Sequence, residues 1–400
     1  MKVFLQAIYG QIFLNAYIFR RGYRALPPKK IVRAPFILFF VCELFLYFTG
    51  YFFYKDLPEP ILHPIMLICN TWYISSIYLT LGLLVLDLVG LFNRLIRRLS
   101  NDNKRLNKLK FLRSFDLTVF RSSNKKLVLF PVFIVAVAGL MAQGYYHAIH
   151  PVVRHVYIHI PKVVEGRDSL TIVLMSDLHI GESVGKKNVQ HFVQLCNAEN
   201  PDLVVIAGDI MDYESRFARN ARIEDDLLQL HAPLGVYLTL GNHEYRANRF
   251  AKLRWLEQTG GILLIDSVAM PDSMFYLIGR DDLTNWKRAS LESLMQGVDL
   301  TKPVIVVDHQ PVSAREVINN ACDVGLFGHT HNGQYWPFPL FLQFMFEFPY
   351  GYYSKGNTHL YVSSGIGFAG PPYRIGTRSE LVVLHVTFGI PEDSLEKARR

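Results

Sequence analysis

The chain has 400 residues, half of them hydrophobic, and its mean hydropathy of +0.17 is high for a soluble protein, so more than one structural unit is expected. Its net charge of +8 is unevenly spread: residues 1–154 carry 20 Lys and Arg against 6 Asp and Glu, whereas residues 155–400 carry 22 against 28. The acidic balance of the second part argues against nucleic-acid binding there, and four cysteines without a Cys-x-x-Cys spacing predict no disulfide.

Four apolar segments occupy the first part, at residues 3–19, 34–54, 65–92 and 127–146. Each is close to the ~20 residues that a helix needs to cross a bilayer. The first segment is the weakest, since it contains Gln6, Gln11 and Asn15, and a cleaved signal peptide is the alternative. We prefer a retained span because no small-residue cleavage site precedes Arg20. Residues 1–154 are therefore predicted to form an all-α, multi-pass transmembrane unit of about four helices.

The loops between these segments predict an orientation in the cell membrane. The loop at residues 20–33 holds six Lys and Arg and no acid, and the loop at residues 94–126 holds eleven Lys and Arg against two Asp. Positively charged loops remain in the cytoplasm. The segment that follows Tyr146 is accordingly predicted to lie on the extracytoplasmic side.

Residues 155–390 alternate short apolar runs with helix-like segments, a pattern typical of an α/β domain. The predicted strands are residues 170–175, 203–207, 236–240, 304–307 and 324–327, and residues 153–159 resemble an earlier strand. The predicted helices include residues 186–197, 224–231 and 247–259. Residues 391–400 form a charged tail.

Polar residues follow each of the five strands. In chain order they are Asp177 and His179, Asp209 and Asp212, Asn242 and His243, His309, and His329 with His331. Because the carboxyl ends of strands in an α/β sheet meet at one crevice, these side chains are expected to converge.

Asp, Asn and His offer oxygen and nitrogen ligands without thiolate, which suits Mn, Fe or Zn. Asp209 has two oxygens and suits a bridge between two ions. Two divalent cations neutralise a phosphate and lower the pKa of a water, so that hydroxide attacks phosphorus in line. His243 is positioned to protonate the leaving oxygen, with Asp212 as the candidate that orients it.

Five blocks in this order resemble the calcineurin-like metallophosphoesterase superfamily across residues 170–384. They are Asp-x-His (177–179), Gly-Asp-x-x-Asp (208–212), Gly-Asn-His-Glu (241–244), His-x-Pro (309–311) and Gly-His-Thr-His (328–331). Gly-His-Thr-His-x-Gly-Gln at 328–334 and Gly-Pro-Pro-x-Arg at 370–374 are similar to the membrane-anchored bacterial branch of that superfamily.

The resemblance implies a four-layer sandwich of two mixed β-sheets flanked by helices. It implies one metal held by Asp177, His179, Asp209 and His331, and a second held by Asp209, Asn242, His309 and His329. It also maps the general acid to His243, partnered by Asp212. The Arg-Gly ending of protein phosphatases is replaced by Tyr213 and Glu214, which argues against a phosphoprotein substrate.

The sequence allows two interpretations of Arg374 and two of the aromatic segment at residues 336–353. Arg374 contacts the substrate phosphate or forms a surface salt bridge. The aromatic segment at residues 336–353 is a loop folded over the catalytic core or against the spans, or an interfacial segment that enters the outer leaflet beside the site.

The favoured function is a membrane-anchored phosphohydrolase that cleaves a phosphoester or pyrophosphate, with a lipid-linked or small-molecule phosphate as substrate. One alternative is a catalytically silent, metal-binding membrane scaffold. Another is an enzyme like the UDP-diacylglucosamine pyrophosphohydrolase of lipid A synthesis, whose nucleotide substrate is cytoplasmic. The sequence leaves open the choice of substrate, bond, metals and oligomeric state.

Overall fold

The computed structural model describes residues 2–102 and 123–389 and consists of two compact units, Met1–Ala142 and Gln143–Arg400. The charged tail at residues 391–400 and residues 103–122 of the basic loop lie outside the described residues.

Long helices build the first unit: α1 (Lys2–Ala25), α2 (Lys30–Phe52), α3 (Glu59–Asp102) and α4 (Ser123–Ile149), whose last turns belong to the second unit. Among the described residues, three helical stretches are long and apolar enough to cross a membrane: Lys30–Phe52, Glu59–Phe92 and Pro131–Ile149. The predicted helical region with apolar helices is therefore confirmed. Helix α1 is not one of the three.

Polar side chains of α1 have partners inside this unit. Gln11 donates to Glu43 Oε1 at 2.8 Å, Asn15 donates to Glu43 Oε2, and Trp72 Nε1 donates to Asn15 Oδ1 at 2.8 Å. Glu43 is buried, and a buried carboxylate is tolerated when donors satisfy it. Gln11 and Asn15, two of the residues that weaken the hydropathy of this helix, thus join it to α2 and α3.

Two six-stranded sheets form the centre of the second unit. The first has the order β1-β12-β2-β3-β4-β5, and the second β10-β11-β9-β8-β7-β6. The strands are β1 (Val152–Ile160), β2 (Ser169–Met175), β3 (Leu203–Ala207), β4 (Val236–Thr239), β5 (Ile262–Leu263), β6 (Ser267–Ala269), β7 (Tyr276–Gly279), β8 (Val304–Val307), β9 (Val324–Phe327), β10 (Gly351–Lys355), β11 (Thr358–Val362) and β12 (Glu380–Phe388). Both sheets are mixed, since β2–β3–β4 and β7–β8–β9 are parallel whereas β12–β2 and β10–β11 are antiparallel.

Helices connect and flank the strands. They are α5 (Lys186–Ala198), α6 (Arg216–Ala221), α7 (Glu224–Leu227), α8 (Arg249–Leu256), α9 (Leu291–Leu294), α10 (Ala314–Asn319) and α11 (Phe338–Met345). Short 3₁₀ turns lie at Glu257–Thr259, Pro271–Ser273, Pro311–Ser313 and His331–Gly333.

Successive residues of β2 pack in different hydrophobic cores, which shows how the sheets and helices are layered. Val173 of β2 packs against helical residues such as Phe192. Leu174, next in sequence, packs in a second core with Leu326 of the other sheet. Because successive side chains of a strand point to opposite faces, each sheet has one face against helices and one against its partner. The predicted sandwich of two mixed sheets flanked by helices is confirmed.

Leu326 of β9 is fully buried between the sheets. We expect Leu326→Ala to lower the free energy of unfolding by about 2–5 kcal/mol, because the substitution leaves a cavity that the close-packed sheets cannot fill. Leu300→Ala, at a 49% exposed position, is the matched control and should cost within about 0.5 kcal/mol. Denaturant unfolding of both variants in detergent measures the difference; equal losses would contradict this account of the core.

Candidate active site

The predicted site residues lie at the carboxyl ends of five strands. Asp177 and His179 follow β2, Asp209 follows β3, Asn242 and His243 follow β4, His309 follows β8, and His329 and His331 follow β9. Since β2–β4 run parallel in one sheet and β7–β9 in the other, both sheets present these ends at one edge of the sandwich.

A first cluster contains Asp177, His179 and His331, whose ligand atoms all lie within 4.8 Å of one another. The Nε2 atoms of His179 and His331 are 2.9 Å apart, and His331 Nε2 is 3.4 Å from Asp177 Oδ1. Two imidazole nitrogens that face each other beside a carboxylate are an arrangement that a divalent cation stabilises.

A second cluster contains Asp209, His309 and His329. Asp209 Oδ2 lies 3.2 Å from His309 Nε2 and 3.7 Å from His179 Nε2, so one carboxylate faces both clusters. Asn242 Oδ1 lies 3.0 Å from His329 Nδ1. The structure therefore brings all seven predicted ligands together. Their roles as ligands stay a prediction.

The buried histidines of this site have the chemistry that divalent metal ligands need. His309 Nδ1 lies 2.9 Å from the Ala207 carbonyl oxygen and donates to it, which turns Nε2 towards the Asp209 carboxylate at 3.2 Å, where a cation between the two atoms would be bound by both. That Nε2 is buried and has no hydrogen-bond partner among the described residues. Burial, together with the neighbouring His309, lowers the pKa of His329 to about 4. Burial also holds the pKa of His331 well below its usual range, and a neutral imidazole is the form that ligates metals.

The backbone is strained where the ligands are placed. Positive φ angles occur at Asp177 (53°), His179 (50°), Asp209 (48°), His329 (74°) and His331 (50°). Residues other than glycine rarely adopt this left-handed conformation, and it persists only where the surrounding structure enforces it.

Two glycines create the space for these ligands. A Cβ at Gly208, which has a φ of 73°, would lie 2.7 Å from the Gly241 backbone nitrogen and 2.8 Å from His309 Cγ. A Cβ at Gly241 would collide with Asp209 Oδ1. The β3 and β4 loops therefore approach each other closely only because both residues lack side chains.

Glu244 fixes the same two loops, and sequence analysis assigned it no role. Its buried carboxylate accepts hydrogen bonds from the backbone nitrogens of Asp209 (3.0 Å), Met211 (2.9 Å) and Gly241 (2.8 Å). Burial, followed by the charge of Asp209, raises the pKa of Glu244 to about 7. The sequence signal was its place in the Gly-Asn-His-Glu block.

Lys252 of α8 is a second buried group that sequence analysis missed. Its Nζ donates to the carbonyl oxygens of His243 (2.6 Å) and Asp212. Burial is the largest influence on this amine and lowers its pKa, whereas the charge of Glu244 opposes that shift. Because Lys252 lies outside the motifs, only the fold identifies it.

His243 and Asp212 form a pair at this edge. His243 Nδ1 lies 2.8 Å from Asp212 Oδ1, and the His243 backbone nitrogen donates to Asp209 Oδ1 at 2.7 Å. Burial would raise the pKa of Asp212, but hydrogen bonds with His179 and His243 hold it well below its usual range. An ionised Asp212 that accepts from Nδ1 leaves Nε2 of His243 directed elsewhere. The exposed Arg246 contacts that Nε2 atom.

Arg374 does not have the surroundings predicted for a substrate-binding residue. Its side chain is fully buried. The guanidinium donates to the carbonyl oxygens of His331 (3.1 Å), Gly365 (3.2 Å) and Gly367 (2.6 Å), and Nη2 is 3.1 Å from His331 Nδ1. The burial corrects the surface-salt-bridge interpretation, and the carbonyl contacts show that the guanidinium supports the backbone beside His331. Contact of Arg374 with a substrate phosphate stays a prediction.

Comparison with known proteins gives a consistent assignment. Residues 170–333 match the family described as Calcineurin-like phosphoesterase. The chain is 30% identical over 393 residues to a Danio rerio protein named transmembrane protein with metallophosphoesterase domain, covering 93% of this chain and 85% of that protein. A Bos taurus protein of the same name is 32% identical over 65% of this chain and 63% of its own length.

A bacterial relative is similar over nearly its whole length. It is a metallophosphoesterase of Helicobacter pylori strain 26695, 26% identical over 96% of this chain and 97% of that protein. The likeness therefore extends to animals as well as bacteria, and the narrower bacterial branch expected from the sequence is supported only in part.

The close contact of the β3 and β4 loops at Gly241 can be tested by measuring bound metal. We expect Gly241→Ala to purify with less bound metal than the wild type, because the added methyl group displaces the Asp209 carboxylate. Gly185→Ala is the control, since a Cβ at Gly185 meets nothing within 4 Å. Elemental analysis of the purified full-length variants measures the ratio of metal to protein. An unchanged ratio in Gly241→Ala would refute the inferred role of this close approach.

Proposed function

The chain belongs to the calcineurin-like phosphoesterase family and is a metal-dependent hydrolase, and we propose that it cleaves a phosphoester or pyrophosphate bond at a two-metal centre while bound to a membrane. The observation that carries this proposal is the Asp209 carboxylate, which lies within 3.7 Å of His179 in one cluster and 3.2 Å of His309 in the other. A carboxylate with two partners of this kind suits a bridge between two cations.

The proposed ligands form two sets that share Asp209. Asp177, His179, Asp209 and His331 would hold one cation, and Asp209, Asn242, His309 and His329 would hold the other. When bound, two cations of Mn, Fe or Zn supply charge neutralisation for a phosphate and activation of a water.

Residues of the chain itself perform the remaining steps. His243 donates a proton to the leaving oxygen, and Asp212 orients its ring through the 2.8 Å contact with Nδ1. Arg246, exposed and in contact with His243 Nε2, is the guanidinium that a substrate phosphate meets. Glu244 keeps the β3 and β4 loops at a fixed separation.

The membrane part of the proposal has four spans, with α1 as the first. Gln11 and Asn15 of α1 donate to Glu43, which supports a helix retained within the bundle. The basic loops are then cytoplasmic and the active site lies outside the cytoplasmic membrane. The substrate is a phosphorylated small molecule or a lipid-linked phosphate.

Two alternatives are less well supported. A catalytically silent, metal-binding scaffold has no need for the contact between His243 and Asp212, which is intact. An enzyme like UDP-diacylglucosamine pyrophosphohydrolase needs a cytoplasmic nucleotide, and the proposed topology places the site on the other side of the membrane.

Substitutions at Asp209 and His243 distinguish metal binding from proton donation. We expect Asp209→Ala to lose bound Mn and all turnover of an aryl phosphoester, because both cations lose a ligand. His243→Ala should retain the metals and lose about 10²–10⁴-fold in kcat. The loss should be smaller for a nitrophenyl ester than for an alkyl ester, since nitrophenolate leaves without a proton.

His231→Ala is the matched control for the second variant, because His231 is exposed and lies outside the motifs. It should keep both metals and the wild-type rate on each ester. Wild-type turnover by His243→Ala on the alkyl ester would remove the proposed acid.

Thiol labelling in intact cells tests the topology. In a Cys42→Ser background, a membrane-impermeant maleimide should label Trp286→Cys, an exposed position in the second unit. It should label Lys29→Cys, between α1 and α2, only after permeabilisation. The reverse pattern would place the active site in the cytoplasm and revive the nucleotide-sugar alternative.

A further inference from the structure

Helix α11 presents an apolar surface that the described residues do not cover. It has the sequence FPLFLQFM, none of its side chains is buried, and Phe344 is 89% exposed. Residues 332–346 contain no Asp, Glu, Lys or Arg. Contiguous apolar surface of this kind marks an interaction site rather than an ordinary solvated helix. Residues 338–345 of the aromatic segment are thus helical and exposed, and the choice between a segment folded over the catalytic core or against the spans and an interfacial segment stays a prediction.

The residues just before α11 are linked to the last turns of α4 by backbone hydrogen bonds that pass through Arg374 and Ile375. Trp336 N donates to the Ile375 carbonyl at 2.7 Å, and Arg374 N donates to the Gly144 carbonyl at 2.8 Å. A Cβ at Gly144 would lie 2.7 Å from Ile375 Cγ1, so the Gly144 backbone and the Ile375 side chain are in close contact.

Gly144 belongs to the apolar stretch Pro131–Ile149, which is long enough to cross a membrane. It precedes the end of that stretch by five residues, a rise of about 8 Å along the helix. An interfacial helix lies about 5–10 Å deep at the boundary between headgroups and acyl chains. The hydrogen bonds from Gly144 through Arg374 and Ile375 to Trp336 therefore tie the start of α11 to the last turns of this apolar stretch.

The other end of the segment reaches the metal centre. The ring of Phe346 lies 6.3 Å from the ring of His329, and Thr330 Oγ1 donates to the Pro349 carbonyl at 2.8 Å. Arg374 forms a second link, because its backbone bonds Gly144 while its guanidinium donates to the His331 carbonyl.

We propose that α11 inserts into the bilayer interface and that the active site takes phosphoesters whose lipid anchor stays in the membrane. The inference rests on the proposed phosphohydrolase function and names its substrate class. A lipid surface is favoured over a second copy of the chain because eight residues of helix, about 12 Å long, offer far less than the ~800 Å² per partner of a stable interface.

Depth measurements test the insertion without reference to activity. In a Cys42→Ser background, the full-length protein carries a spin label at Phe344→Cys in nanodiscs of phosphatidylcholine and phosphatidylglycerol. We expect greater accessibility to oxygen than to a water-soluble nickel chelate. A label at Trp286→Cys, 84% exposed, is the control and should favour the chelate. A Phe344 label that matches this control would overturn the inference, and so would one shielded from both reagents, which would indicate a protein partner.

Matched substrates test the effect on catalysis. Methylumbelliferyl phosphate is compared with the same compound carrying an acyl chain that anchors it in phosphatidylcholine vesicles. The double variant Phe341→Ser/Phe344→Ser should lose about tenfold or more in kcat/KM on the anchored compound, because two large apolar side chains no longer enter the bilayer. It should keep the wild-type rate on the soluble compound, as should Trp286→Ser on both.

The outcomes separate the two proposals. Equal rates of the double variant and the wild type on the anchored compound would overturn the interfacial role, and so would equal losses on both compounds. If the wild type hydrolyses neither compound, the phosphohydrolase proposal fails, whereas the spin-label result still decides whether α11 lies in the membrane.

Discussion

The active-site edge depends on one buried carboxylate that binds no metal in the proposed scheme. Glu244 accepts hydrogen bonds from three backbone nitrogens, two on the β3 loop and one on the β4 loop. Asp209 and His243 lie on those same loops, so their separation follows from this bonding. Removal of an acceptor that serves buried donors costs about 1–3 kcal/mol for each donor left alone, so Glu244 favours the one arrangement of the two loops in which all three donors are satisfied.

These hydrogen bonds matter because the backbone conformations at the ligand positions are themselves unfavourable. Five of the seven proposed ligands have positive φ angles, each of which costs of order 1–3 kcal/mol. The stabilisation comes from elsewhere in the second unit, where Leu174, Leu326 and Leu384 pack between the sheets without solvent contact. The loops at the ends of the strands therefore carry the proposed ligands, and the middles of the same strands supply the stability.

Much of this arrangement could be predicted from local sequence. Strands β3, β8 and β9 have the predicted bounds, because short apolar runs followed by polar motifs specify strand and loop together. The predicted helix at residues 224–231 is shorter, ending at Leu227, since Pro233 and the turn into β4 follow.

The rest depended on contacts between distant residues. Lys252 and Arg374 lie in the interior although their charge suggests a surface position, and their partners are backbone carbonyls that no sequence pattern reveals. The bonding of Glu43 to Gln11 and Asn15 has a related consequence for biogenesis. In the proposed four-span arrangement, Gln11 and Asn15 of α1 would find these partners only beside α2 and α3, so we expect the translocon to release α1 together with its neighbours rather than alone.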